Sequence, residues 1–268
     1  MAPSGVLGPI LTLRNVSRRF VSSRQNTTAV QDVSLDIREG EFVCVVGPSG
    51  CGKSTLLNLI AGLDKPSSGQ LVFDGNPIKG AGADRVVVFQ DAALYPWLNV
   101  RANVEFGLRI KRVGGKERRR IADRYLEIVN LRQFERALVH ELSGGMKQRV
   151  QLARALAVEP RMLLMDEPFA ALDAQTRDAL QAELQEIWQR TGATIFFITH
   201  NVREAALLSD RVLVMTPGPG RIKATIPVPL QRPRDPDTHA VVDFAAEIRR
   251  ELQHDEYTSK AAESGYVI

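Results

Sequence analysis

The run Gly47-Pro48-Ser49-Gly50-Cys51-Gly52-Lys53-Ser54 combines flexible backbone, one cation and one hydroxyl at the spacing G-x-x-x-x-G-K-[ST]. Glycines at these positions let the chain curl so that successive N–H groups converge on a single anion. The run sits between an apolar stretch, Phe42 to Val46, and a helical pattern that begins at Lys53. The positive end of that helix therefore faces the same anion. Lys53 can reach the β- and γ-phosphates of a nucleotide, and the Ser54 hydroxyl can hold Mg²⁺. Thr55, in the same first turn, completes the phosphate-binding set.

A second group of residues could act on what the cradle holds. Met162 to Met165 form an apolar strand that ends in Asp166 and Glu167. A carboxylate at such a strand tip suits the metal bridging the phosphates, which assigns Asp166 as metal partner beside Ser54. Glu167, one residue on, can polarise a water for in-line attack on the γ-phosphate. Gln90 ends the expected strand VVVFQ, and His200 ends the expected strand TIFFITH. Gln90 could touch Mg²⁺ or the attacking water, and His200 could donate to the γ-phosphate. Alone, Asp166 and Glu167 before Pro168 would read as an acidic cap, and Gln90 and His200 as satisfied strand ends. The cradle turns all four toward a nucleotide.

The elements that must position these residues alternate. Short β-branched runs cross to longer helical patterns, as in an α/β layered fold. Strands are expected at 10–16, 33–37, 42–47, 71–75, 85–89, 161–166 and 194–200, with a polar loop from Ser22 to Thr28. From roughly Asn99 to Gln148 the pattern turns helical and strongly charged. Helices are expected from Lys53, over 144–157, over 173–190 and over 241–253. A hairpin is expected around Pro217 to Gly220, and the last dozen residues are expected to be disordered. The full chain of 268 residues is 44% hydrophobic and 25% charged, values of an ordinary globular protein. No apolar run approaches the roughly 18 residues of a membrane span. MAPSGVLGPILTL has no basic residue ahead of its apolar run, which argues against a secretory signal. Cys44 and Cys51 build no disulfide framework, in keeping with a reducing compartment. The net charge of +4 does not require nucleic acid. The excess is concentrated between Arg109 and Arg124, which reads either as a solvated helix face around Gly114-Gly115 or as a contact for phosphate-rich material.

Leu142-Ser143-Gly144-Gly145-Met146, followed by Lys147-Gln148-Arg149, adds a second anion site: Ser143 suits the N-cap of the following helix, beside bare glycine N–H groups. This run closely resembles the signature motif of ABC-type ATPases. The resemblance covers residues 10–230 and implies a P-loop NTPase core of the ABC type, with an antiparallel β subdomain and a helical subdomain at about 95–157. Residues 231–268 would form a C-terminal helix and tail. It implies ATP and Mg²⁺ as cofactors and a head-to-tail homodimer, in which Ser143, Gly144 and Gly145 meet the ATP held by a second copy. Phe20 resembles the aromatic residue that stacks on adenine. Asp173, in Ala171-Leu172-Asp173, resembles the loop that meets the partner, although Ala170 stands where many relatives carry Ser or Gly. The stretches AGADRVVVFQDAALYPWLNV and MTPGPGRIKATIPVPLQRPRD are similar to the ATP-binding subunits of bacterial importers for nitrate, sulfonates and taurine. That likeness implies a peripheral protein on the cytoplasmic face of the cell membrane. Its partners would be transmembrane permease subunits and, indirectly, a periplasmic or lipid-anchored solute-binding protein. Leu94, Tyr95, Pro96 and Trp97 fall where such a permease docks. The contrasting reading is a soluble ABC ATPase acting on nucleic acid or a protein assembly. The single copy of each motif and the lack of coiled-coil heptads weigh against it.

Overall fold

The computed structural model describes residues 8–21 and 26–263, with side chains through residue 253. The chain divides into two compact units, residues 1–81 with 194–268, and residues 82–193. The opening segment 1–7 and residues 22–25, most of the expected polar loop, lie outside the described residues.

The first unit begins with β1 (Leu11–Val21) and β2 (Asn26–Ile37), paired antiparallel. Alternation places Leu11 and Leu13 of β1, and Val33, Leu35 and Ile37 of β2, on the buried face, and a register shift after Leu13 buries Val16 as well. β2 starts earlier than its apolar residues indicate, because ladder pairing with β1 carries the polar segment from Asn26 into the strand. Next come β3 (Phe42–Val46), α1 (Lys53–Ala61), β4 (Ser68–Phe73) and β5 (Asn76–Pro77). β4 joins the other edge of β1, giving the order β2-β1-β4-β5. β3 is buried throughout, as its unbroken apolar run requires of a strand covered on both faces. α1 stops at Gly62, whose φ of 73° provides the left-handed C-cap.

In the second unit β6 (Arg85–Val88) and β7 (Met162–Asp166) pair in parallel, Val88 opposite Met165. Between them run α2 (Val100–Ile110), α3 (Gly115–Ile128) and α4 (Gly144–Ala157), packed on one another, and α5 (Ala174–Thr191) follows β7. Asn99 caps α2 by accepting from the Ala102 N–H at 2.8 Å. Much of the basic excess is locally paired: Arg118 donates to Glu105 at 2.9 Å, Arg109 lies 3.5 Å from the same carboxylate, and Arg120 grips Glu117 at 2.5 Å.

The chain returns to the first unit with β8 (Thr194–Ile198), α6 (Val202–Leu208), β9 (Arg211–Met215), β10 (Ile222–Pro227) and α7 (His239–Glu263). β8 and β9 flank β3 in parallel, so that Cys44 stands opposite both Phe197 and Val212. β9 and β10 form the expected hairpin, with Met215 opposite Ile222. α7 packs on α6 and β9 and continues ten residues past the expected end at 253, so the stretch expected to be disordered is helical as far as Glu263.

Candidate functional site

The glycine run leaves β3 as a tight loop with a packed back and an open front. A Cβ on Gly47 would stand 2.7 Å from Cys51 Sγ, and one on Gly52 would stand 2.4 Å from the Ala29 carbonyl. Gly52 also has φ 96°, which L side chains rarely adopt. Around Gly50, by contrast, a Cβ would meet nothing within 4 Å. α1 begins at Lys53 with no side-chain cap and no acidic residue in its first turn, an arrangement that suits an anion at its positive end. Lys53 is only 7% exposed, and its ammonium donates to the carbonyls of Gly47 at 2.8 Å and Pro48 at 2.9 Å. Cys51 Sγ lies 3.9 Å from the same nitrogen, and burial pushes that thiol above its ordinary range. The loop thus holds a positive charge among neutral groups, beside uncapped N–H donors. This fits a polyphosphate. Ser49 and Ser54 are exposed, Pro48 and Thr55 half-buried.

Gly220, expected only as part of a hairpin, closes the back of this loop. A Cβ there would stand 1.9 Å from the Cys51 carbonyl oxygen. Its N–H donates to Ala29 at 3.0 Å and its carbonyl accepts from Gln31 at 2.9 Å, so it cannot retreat freely. Gly220→Ala should lower stability by about 1–3 kcal/mol through overpacking and displace the loop. Thermal unfolding and nucleotide affinity measured together will show both losses, and a variant unchanged in both would remove Gly220 from the loop's support.

The other assigned residues sit at element ends. Asp166 is the last residue of β7, and Glu167, half-buried, has φ 46°, a left-handed conformation unusual for a non-glycine residue. Strain of this kind persists only where surrounding structure enforces it. Gln90 and His200 are both exposed and lie two residues beyond the ends of β6 and β8, whose ladders close earlier than their apolar runs. Phe20, 42% exposed near the end of β1, carries the Arg18 guanidinium 4.5 Å from its ring centre.

Ser143 caps α4 by accepting from the Met146 N–H at 3.3 Å, and α4 has no acidic residue in its first turn. Gly145 is needed for packing, since a Cβ would meet Thr176 at 2.5 Å, whereas Gly144 has ordinary room. Asp173 caps α5, accepting from Thr176 N–H at 2.9 Å, and that bond holds its carboxyl below the usual range.

α4 also holds the segment after Gln90, a link not assigned from the sequence. Gln148 Nε2 donates to the Gln90 carbonyl at 2.6 Å, and Arg154 Nη1 to the Ala93 carbonyl at 2.7 Å. The available signal was two polar side chains among the apolar residues of one helix. Of the four expected docking residues, Pro96 is exposed and Trp97 is 73% exposed. Tyr95 is half-buried against Phe106, with ring centres 4.2 Å apart, and Leu94 is buried.

The family model for ABC transporters matches residues 30–170, from β2 across the glycine loop, α4 and β7. The chain belongs to the ABC transporter family. Its fold is that of the ABC ATPases, an α/β body with an antiparallel sheet, parallel strands and a group of helices, and as a family member it is an ATP-binding ATPase. It is 52% identical over 214 residues to the taurine import ATP-binding protein TauB of Burkholderia pseudomallei (strain 1710b), covering 80% of this chain and 82% of that protein. It is 49% identical over 228 residues to the nitrate import ATP-binding protein NrtD of Synechocystis, covering 85% of each. Among solved structures, the ATP-binding cassette MJ0796, a dimer in a post-hydrolysis state with ADP and Pi, matches with a TM-score of 0.72 at 33% identity, over 82% of this chain and 100% of that one. Among the described residues of this ABC ATPase, no helix is long and apolar enough to cross a membrane.

Proposed function

We propose that this chain is the energy-coupling ATPase of an ABC importer for nitrate, taurine or another sulfonate, working at the cytoplasmic face of the membrane as a pair of identical subunits. The ATPase body spans 10–230, with helices at 95–157 as a subdomain and 231–268 as an appended helix and tail. The observation that carries the reading is the presence, in one chain, of two glycine-bearing helix starts built for anions: the cradle at α1 with its buried Lys53, and α4 behind Ser143. The first can enclose phosphates of its own nucleotide. The second, with Gly144, Gly145 and Asp173, is left to serve a nucleotide held by another copy. The named import functions of TauB and NrtD support the choice of an importer.

Gly47 through Thr55 bind the phosphates, and Phe20 stacks on the base. Lys53 draws charge from the β- and γ-phosphates. Ser54, Gln90 and Asp166 offer hard oxygen donors that would hold Mg²⁺, and the ion would supply positive charge against the phosphates. Glu167 accepts a proton from the attacking water, and His200 donates to the γ-phosphate. Loss of that phosphate releases the partner's α4, and the reopening pair changes which side of the permease is open. Trp97 and Pro96 form the surface on which the permease docks.

A pull-down of the tagged chain from mildly solubilised membranes of the source cells, read by mass spectrometry, tests the importer assignment. A multi-span permease is expected in the eluate. Ribosomal, nucleic-acid-bound or purely soluble partners, with no permease at any detergent strength, would replace the importer by a soluble ABC ATPase.

A further inference from the structure

The ten residues after β10, Val228 to Asp237, form neither helix nor strand, yet they hold both ends of α6. Arg234, only 7% exposed, donates to the carbonyls of Ala206 at 3.0 Å, Leu207 at 3.2 Å, Ser209 at 2.7 Å and Leu230 at 3.1 Å. Three of these acceptors are the carbonyls that the end of a helix leaves without partners, at its negative pole. Arg232 donates to the Leu208 carbonyl at 2.6 Å and to Asp210 Oδ1 at 3.0 Å. The other carboxylate oxygen of Asp210 accepts from the Phe42 N–H at 2.9 Å, at the start of β3. The strap therefore references α6 against the strand that ends in the phosphate loop. In the first turn of α6, Arg203 donates to the Pro236 carbonyl at 2.9 Å and to Asp237 at 3.3 Å. Burial, with Arg232 nearby, lowers the Arg234 pKa to about 10, which leaves it charged at neutral pH.

The N-terminal end of α6 is braced as tightly. Thr199 Oγ1 donates to the buried Glu204 at 2.5 Å and accepts from the Asn201 N–H at 3.0 Å, while Asn201 Oδ1 accepts from the Arg203 N–H at 3.0 Å. His200 lies between Thr199 and Asn201. A seven-residue helix is about 10 Å long, so a shift at one end is passed to the other.

We propose that Arg234, assisted by Arg232, is a positioning residue for His200: the strap fixes α6 as a strut that keeps the imidazole in place for phosphate contact during turnover. The proposal rests on the reading of His200 as the γ-phosphate donor. Misplacing a reacting group by about 1 Å can cost on the order of 100-fold in rate, which sets the scale expected here.

The test compares Arg234→Met, which keeps the length and removes the donors, with Arg234→Lys, in full-length protein carrying labelled histidines. His200→Gln identifies the His200 resonance among the four histidines of the chain. Arg234→Met should bind ATP within about twofold of wild type and lose about tenfold or more in kcat with KM nearly unchanged. The ATP-dependent displacement of the His200 resonance should shrink with it, and Arg234→Lys should recover part of both. Should Arg234→Met not fold, Arg203→Ala, which frees the first turn of α6 from the exposed end of the strap, carries the test, with a fall in kcat of about threefold and the same weakened His200 response. Wild-type kcat, or lost kcat with an unaltered His200 response, in a folded variant overturns the proposal. His200→Ala at full rate would instead remove the reading beneath it. A slow His200→Ala beside fast strap variants overturns the strap alone.

Discussion

Glu167→Gln will retain ATP and lose turnover. The substitution keeps the size of the side chain and its acceptor oxygen but removes the basicity that takes a proton from water. A positioned general base contributes roughly 100- to 10,000-fold, so kcat should fall by at least about 100-fold. ATP affinity should stay within about threefold, since the phosphates are held by other groups. Glu167 follows β7 with φ 46°, and a residue held there against its preference is oriented by its surroundings. Glutamine suffers the same strain, so the variant isolates the proton step. Turnover near that of wild type would take the base role from Glu167.

Lys53→Ala will act earlier in the cycle, on binding. The Lys53 ammonium, 7% exposed and held by the carbonyls of Gly47 and Pro48, is the one positive side chain of the glycine run. A hydrogen bond to a charged group is worth about 1.5–3 kcal/mol, so affinity for ATP should weaken by about 10- to 100-fold. The loss should be larger for ATP than for AMP, because the lysine is assigned to the β- and γ-phosphates. Titration with both nucleotides separates phosphate binding from general damage. Equal affinity for ATP in variant and wild type would contradict the cradle.

What could be read from the sequence was local in the chain. The glycine cradle declares itself because a buried strand, a turn that only glycine fits and an uncapped helix start fall within a dozen residues. Ser143 before Gly144 was legible as a cap for the same reason: donor and acceptor are three residues apart. The ends of β6 and β8 were less so, because ladder pairing stops before the run of residues does: at Val88, ahead of the exposed Phe89, and at Ile198, ahead of the buried Thr199. Leu94 and Tyr95 illustrate the limit for loops. The resemblance assigned Leu94 to Trp97 to docking, but Leu94 turns inward and Tyr95 packs on Phe106, leaving Trp97 outside. The unread residues act across long separations. Gly220 backs Cys51 from 169 positions away, and Arg234 reaches Ala206 across 28. Neither has a neighbour in sequence that announces its partner.

The central claim is that ATP binding joins two copies through the cradle of one and α4 of the other. Sedimentation of full-length Glu167→Gln protein, with and without MgATP, tests it most directly, because blocked turnover lets the closed pair accumulate. The account predicts a monomer without nucleotide and a dimer with MgATP, reverting on exchange into ADP. A monomer at saturating MgATP, with nucleotide binding confirmed on the same sample, would contradict it.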